Sequence, residues 1–307
     1  MQPDNGPLQT GQELAGCVVG RRLGAGASST VYAAFDPADQ AWRALKVFAA
    51  APGTSAAQQA EMRSRFEREA AVAARLQHPD IVRLHRSGQH AGLAWLLLDL
   101  LTGTELTRYT TPARLLPEAV VLNLAERLAR ALAHAHAQGV VHRDLKPANV
   151  MVDWATDQVT LTDFGIARQD DASATRTGLV LGSPAYMAPE LLSGQPADAR
   201  TDLYALGVLL FQLLAGRLPF EAEGMGALLR QVATEPAPDL CALRPGLDPG
   251  LAAIAARLLA KAPADRPASG TAAADALASL RAGSPDLQRA TGPAPDLGAD
   301  PGAKSRR

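Results

Sequence analysis

Two cysteines in 307 residues, with no C-x-x-C and no His/Cys cluster, leave little material for a disulfide framework or a zinc site. Cys17 and Cys241 fit a reducing compartment, and a cytoplasmic location is expected. Net charge is also scarce, at −1. No basic field calls for nucleic acid, and no acidic field calls for a cationic partner. Long hydrophobic runs are missing as well. The longest, "LYALGVLLFQLLAG" from Leu203 to Gly216, is too short to span a bilayer and is interrupted by Gln212. It reads as a buried core helix. The opening "MQPDNGPLQTGQ" has neither a basic n-region nor an apolar h-region, so it is no signal peptide. What remains is a globular composition, 47% hydrophobic and 20% charged, long enough for two lobes of roughly 150 residues each.

Near the N-terminus the chain reads "LGAGASSTVY", Leu23 to Tyr32. Gly24 and Gly26 begin a G-x-G-x-x-G pattern, and Ser29 stands where its third glycine would be. Two glycines and small residues also suit an ordinary hairpin, so the stretch alone does not decide. Its surroundings say more. "CVVGRRL" precedes it, "TVYAAFD" follows, and "AWRALKVF" comes after a "PADQ" turn. Val31, Ala33 and Phe35 alternate as in a strand. A dinucleotide fingerprint needs a helix directly after its glycines, so a β-meander replaces the Rossmann reading.

Residues from about 55 to 76 are rich in helix formers, with Met62, Phe66, Ala70 and Ala73 on one apolar face. "IVRLHRSGQ" and "LAWLLLDLL" supply two further strands. Beyond Leu101 the pattern is mostly helical. A long amphipathic helix is expected from Pro117 to Gln138 with Gly139 at C′, and "NVMVD" and "QVTLTD" form a short hairpin. Further helices fall at about 200–216, 224–233, 249–261 and 269–281. After Arg281 the composition turns to Pro, Gly and Asp, which reads as a disordered tail.

Three stretches carry chemistry: "VVHRDLKPANV" (Val140–Val150), "LTDFGIA" (Leu161–Ala167) and "GSPAYMAPE" (Gly182–Glu190). A solvated loop explains any one of their charges but not this fixed series of Asp, Lys and Asn between β-prone segments. With the glycine turn and "ALKVF", they make five motifs in order. The chain resembles the eukaryotic-type (Hanks-type) serine/threonine protein kinases, and most of all the bacterial members.

That resemblance implies an α+β, two-lobed fold. Its N-lobe (14–100) would hold a five-stranded antiparallel sheet plus one helix, and its C-lobe (101–281) would be mostly helical. A disordered leader (1–13) and tail (282–307) would flank it. It implies phosphoryl transfer from ATP with Mg²⁺ to serine or threonine hydroxyls of protein substrates, and leaves room for a homodimer. Lys46 would contact the α and β phosphates and pair with Glu69. Glu67, two residues away and on another face, is the competing partner. Asp144 would accept or orient the substrate hydroxyl's proton, and Lys146 would neutralise the γ-phosphate. Asn149 and Asp163, hard oxygen donors, would bind Mg²⁺. Leu23, Val31 and Ala44 would cover the adenine with Met151 beneath. The backbone of Asp99 and Leu101 would read its edge, and Leu98 would guard the back pocket. A plain apolar core is the alternative for the apolar residues among these, and both readings can hold at once. Arg143 precedes Asp144, as in members controlled by activation-loop phosphorylation, and Ser173, Thr175 and Thr177 lie in that loop. Thr175 and Thr177 match the usual spacing best. His142 would be a packing residue with Phe164, Glu190 and Arg266 a buried ion pair, and Asp202 a buried anchor for the catalytic loop.

Two rival readings come from other classes. A pseudokinase scaffold would usually have lost the lysine or one of the two aspartates, all present here. A small-molecule kinase is disfavoured by the full "GSPAYMAPE" segment.

Overall fold

The computed structural model describes residues 7–26, 29–49, 54–55, 60, 64, 66–67, 70–71, 73–90, 92–164 and 184–288. Six strands form the first sheet: β1 (Glu13–Leu14), β2 (Cys17–Ala25), β3 (Ser29–Asp36), β4 (Ala41–Ala49), β5 (Leu84–His90) and β6 (Leu93–Asp99). Their order is β1-β2-β3-β4-β6-β5, antiparallel throughout. The five expected strands are joined by β1, a two-residue edge too short to leave an alternating pattern in the sequence.

Alternation divides the sheet into two faces. One face carries Tyr32, Ala34, Leu45, Val47 and Leu97, and forms a core with Leu8, Leu14, Cys17 and Val19. The opposite face receives α1 (60–73, helical at every described residue), whose Phe66 and Ala70 pack on Leu84 and Leu96. Met62 lies outside the described residues.

From residue 7 onward the leader differs from its expected disorder. Leu8 is 1% exposed, and its N–H donates to the Tyr32 hydroxyl at 3.3 Å. Gly11 N–H donates to the Val19 carbonyl at 2.7 Å, and Val19 N–H to Gln12 at 2.9 Å. The strap covers apolar sheet surface that would otherwise meet water. The tail is likewise ordered where it is described. Helix α9 (Pro285–Gln288) follows α8 (Gly270–Gly283), and Leu287 is 4% exposed. Residues 289–307 lie outside the description.

The second lobe is helical around the small sheet β7-β8-β9 (Thr104–Glu105, Val150–Asp153, Gln158–Leu161). Helix α2 (Glu118–Ala137) packs against α4 (Ala199–Ala215) and α8. Pro117 sits at the N-cap of α2, and Gly139 follows its end with φ +74°. Helix α4 is the apolar run noted in the sequence, and Leu203 through Phe211 are buried without a break. Asp198 caps it, accepting from Arg200 N–H and Thr201 N–H. Gly207 allows α4 to press on α7 (Pro249–Leu258), because a Cβ there would lie 2.8 Å from Leu258 Cβ. The short helices α3 (Pro189–Leu192), α5 (Met225–Thr234) and α6 (Leu240–Leu243) complete the lobe.

Candidate active site

The loop between α2 and β8 holds most of the polar groups singled out by the sequence. It is fixed from below by Asp202, which is 1% exposed. One carboxylate oxygen accepts the His142 N–H at 2.7 Å and the other accepts the Arg143 N–H at 2.8 Å. His136 Nε2 adds a contact at 2.7 Å. A buried carboxylate needs such partners, and these carry the expected backbone anchoring. Arg143 and Asp163 both have positive φ, +64° and +55°. For residues with a Cβ this is a strained region that persists only where neighbours enforce it.

His142 is fully buried, and burial pushes its imidazole pKa down, so the ring is neutral. Nδ1 accepts the Asp144 N–H at 3.2 Å, which leaves the proton on Nε2 to donate to the Thr162 carbonyl at 2.9 Å. Its ring lies 4.6 Å from that of Phe164. Thr162 N–H donates to the Asn149 carbonyl at 2.8 Å. The segments carrying Asp144 and Asp163 are therefore stitched together by backbone and imidazole.

Above this floor the reactive side chains converge. Lys146 Nζ is 2.9 Å from Asp144 Oδ2, and Asn149 Nδ2 donates to the same oxygen at 3.1 Å and to the Asp144 carbonyl at 2.7 Å. With its nitrogen committed, Asn149 offers Oδ1 as the remaining donor. Across the cleft Lys46 pairs with Asp163, and their side chains are 15% and 45% exposed. Asn149 Oδ1 and the half-exposed Asp163 carboxylate are the hard oxygen donors that a divalent cation such as Mg²⁺ requires.

Strand register gathers part of the expected adenine set. Val31 lies opposite Lys46, Ala44 opposite Leu98, and Gly24 opposite Val31. Val31, Ala44, Lys46 and Leu98 thus share the face that carries α1. Leu23 is 38% exposed at the rim, and Met151 on β8 is half-buried. Asp99 ends β6, with its N–H donating to the Arg83 carbonyl, and Leu101 follows. The competing helix residue is accounted for: Glu67 Oε1 accepts from Gln89 Nε2 at 3.0 Å, on the exposed rim of the sheet. Glu69, Ser173, Thr175 and Thr177 lie outside the described residues.

The buried pair is present as expected. Arg266 Nη1 and Nη2 meet Glu190 Oε1 and Oε2 at 2.7 and 2.8 Å. Sequence reading missed a second charged cluster, around Asp99. His85 and Arg43 both reach its carboxylate, and neither stands in a recognisable motif.

A two-lobed fold with a lysine-bearing strand above an Asp-Lys-Asn loop defines a phosphotransferase of the protein kinase class. The chain matches the family described as "Protein kinase domain" over residues 17–278, and it belongs to that family. Serine/threonine-protein kinase PknJ of Mycobacterium tuberculosis is 41% identical over 307 residues, covering 96% of this chain and 51% of that protein. PknF of the same species is 37% identical over 73% of this chain and 48% of its own length. A crystal structure of the M. tuberculosis PknI kinase domain superposes with a TM-score of 0.70 at 38% identity, covering 90% of this chain and all of that one. The domain is therefore a Hanks-type serine/threonine kinase domain with bacterial relatives. The chain spans about half the length of the curated relatives it matches. Among the described residues no helix is long and apolar enough to cross a membrane.

Proposed function

We propose that this chain transfers the γ-phosphate of ATP to serine or threonine hydroxyls of proteins and phosphorylates its own activation segment. The observation that carries the reading is the cluster of Asp144, Lys146 and Asn149 on a loop bonded through Thr162 to the segment whose Asp163 pairs with Lys46. In the proposed step the substrate oxygen forms a bond to the γ-phosphorus. The bond from that phosphorus to the β–γ bridging oxygen breaks, and ADP leaves with the electron pair. Asp144 orients the hydroxyl and takes its proton, while the Lys146 ammonium offsets charge on the transferring group. Lys46 steadies the remaining phosphates. Asn149 and Asp163 would hold Mg²⁺, whose chemistry is to neutralise charge on the phosphate oxygens. Leu23, Val31, Ala44 and Met151 enclose the adenine between the lobes, with Asp99 and Leu101 at its edge and Leu98 behind it.

Regulation follows from Arg143. Among the described residues its guanidinium enters no ion pair, although its backbone is tightly anchored to Asp202. A phosphate on Thr175 or Thr177 would supply an anion for it and tie the segment to the catalytic loop. The unpaired thiols Cys17 and Cys241 support a reducing, cytoplasmic setting.

The test is direct. Purified chain with Mg-ATP incorporates phosphate, Asp144→Asn abolishes it, and mass spectrometry finds the label on Thr175 or Thr177. Equal incorporation by the two proteins refutes the role given to Asp144. Label confined to other residues refutes the activation-segment assignment alone.

A further inference from the structure

Strand β6, which leads into the hinge (the Asp99–Leu101 segment assigned to the adenine edge), ends in a charge cluster that the phosphoryl chemistry leaves unused. Strands β5 and β6 pair Leu84 with Leu98 and Arg86 with Leu97, so His85 is an extra residue, a β-bulge. A bulge re-aims the side chain it carries. Here the imidazole, 12% exposed, comes within 2.6 Å (Nε2) of Asp99 Oδ1. The same oxygen accepts Arg43 Nη1 at 3.1 Å, and Arg43 Nη2 reaches Asp39 at 3.2 Å. Arg43 Nε is buried without a hydrogen-bond partner, so this grip is made at the expense of one donor. The Asp99 N–H is also committed, to the Arg83 carbonyl at 3.1 Å. Amide and carboxylate of one residue are thus tied to β4 and to the start of β5, and its peptide is the one assigned to the adenine edge.

We infer that His85 is a positioning residue for the nucleotide: acting through the Asp99 carboxylate, it fixes the hinge backbone, and its charge state tunes affinity for the adenine moiety. The inference rests on the reading of Asp99 and Leu101 as the adenine-reading backbone. Histidine changes charge between about pH 5 and 8. The neutral ring offers Asp99 one hydrogen bond, whereas the cation adds a charge to it. The hinge is therefore held more firmly when His85 is protonated, and a pre-organised site binds more tightly. The surroundings bound the effect. Arg43 from β4 already compensates Asp99 and opposes a second cation. Asp39, in the turn before β4, draws Arg43 the other way. Exposed Arg83 and Arg86 flank His85 on its own segment, and Arg86 is held by buried Asp36 and by Cys17 Sγ at 3.4 Å.

Adenosine is the probe, because it carries no phosphate to titrate. Its inhibition constant against Mg-ATP is measured with the whole chain at about pH 6 and pH 8 for wild type, His85→Gln and Asp99→Asn. Wild type should bind adenosine about threefold more weakly at the higher pH, and both variants should show no such difference. The same pH dependence in wild type and His85→Gln overturns the proposal. Should His85→Gln fail to fold, imidazole NMR on the wild type decides. Linkage requires adenosine to move the His85 titration to higher pH by the same factor, and an unmoved titration overturns the proposal. Failure of the underlying reading looks different: adenosine then does not compete with ATP at any pH.

Discussion

Lys46 and Asp163 meet across 117 residues of sequence, with side chains 15% and 45% exposed; Arg266 and Glu190 meet across 76, with side chains 0% and 5% exposed. The guanidinium of Arg266 spends all its donors. Beyond the two bonds to Glu190, it reaches the carbonyls of Ala260, Lys261 and Arg200 at 2.8–3.1 Å and lies 5.0 Å from the Tyr204 ring centre. Glu190 also accepts from the Thr201 hydroxyl. The Lys46 ammonium faces a half-exposed carboxylate instead. The contrast separates two uses of charge. A pair that holds the fold is sealed and fully satisfied. The pair proposed to meet phosphate is open to exchange partners, and so adds little to stability.

Breaking the sealed pair should have the largest effect. Arg266→Ala strands a buried carboxylate, and a loss of about 3–5 kcal/mol in urea unfolding is expected. Acid should expose the same linkage. Burial alone would raise the Glu190 pKa, but the hydrogen bonds and charge of Arg266 outweigh it and hold the value below the ordinary glutamate range. The pair's contribution is then complete above the ordinary glutamate pKa, near 4.3, and is lost as pH falls through the depressed value. In Arg266→Ala burial would hold the carboxyl above its unfolded value, so this acid loss should disappear and the stability gap to wild type should narrow as pH falls. An unchanged acid limb in the variant would show that the pair is not what protects this lobe.

The N-lobe offers an apolar counterpart to the sealed pair. Leu8 closes the outer sheet face as Arg266 closes the C-lobe. Leu8→Ala should cost about 2–3 kcal/mol, at the low end for a buried leucine because the strap can resettle. No change in the urea midpoint would mean that the leader is not part of the fold.

Next comes the mirror image of the first experiment. Lys46→Met should shift stability by less than about 1 kcal/mol, because its partner is half exposed. Phosphate incorporation should nonetheless fall to background. If Lys46→Met costs as much stability as Arg266→Ala, the two pairs do not differ in kind and the comparison fails.

These contrasts mark what the sequence made legible. Asp144, Lys146, Asn149 and Asp163 stand in fixed local motifs, and the loops that carry them are stitched by their own backbone, so order along the chain conveyed position in space. The buried stretch of α4 was equally readable, since an apolar run of that length has few other uses. The strap at Leu8 was not, because its leucine stands alone among Pro, Gly and Gln and makes no periodic signal. Nor was the His85–Asp99–Arg43 cluster. It depends on a register slip of one residue in β5, and periodicity has no term for a bulge.

The smallest effect concerns the turn between β2 and β3, where the comparison can be sharpened to single atoms. Among the described residues a Cβ at Gly24 would meet nothing within 4 Å, and one at Gly26 would touch Ser29 at 3.9 Å. Packing against the described residues therefore does not require these glycines, and the proposed role is close approach of a phosphate. Ser29, in the place of a third glycine, begins β3 opposite Phe48, and its carbonyl accepts the Gly26 N–H at 2.8 Å. Glycine would keep that backbone bond. Ser29→Gly should accordingly leave the KM for ATP within about twofold of wild type. Gly24→Ala should raise that KM several-fold while the urea midpoint stays put, so that affinity and stability part company. A Ser29→Gly variant as impaired as Lys46→Met would give the Ser29 side chain a direct part in holding phosphate, and the third glycine of the pattern would then have been replaced for its hydroxyl.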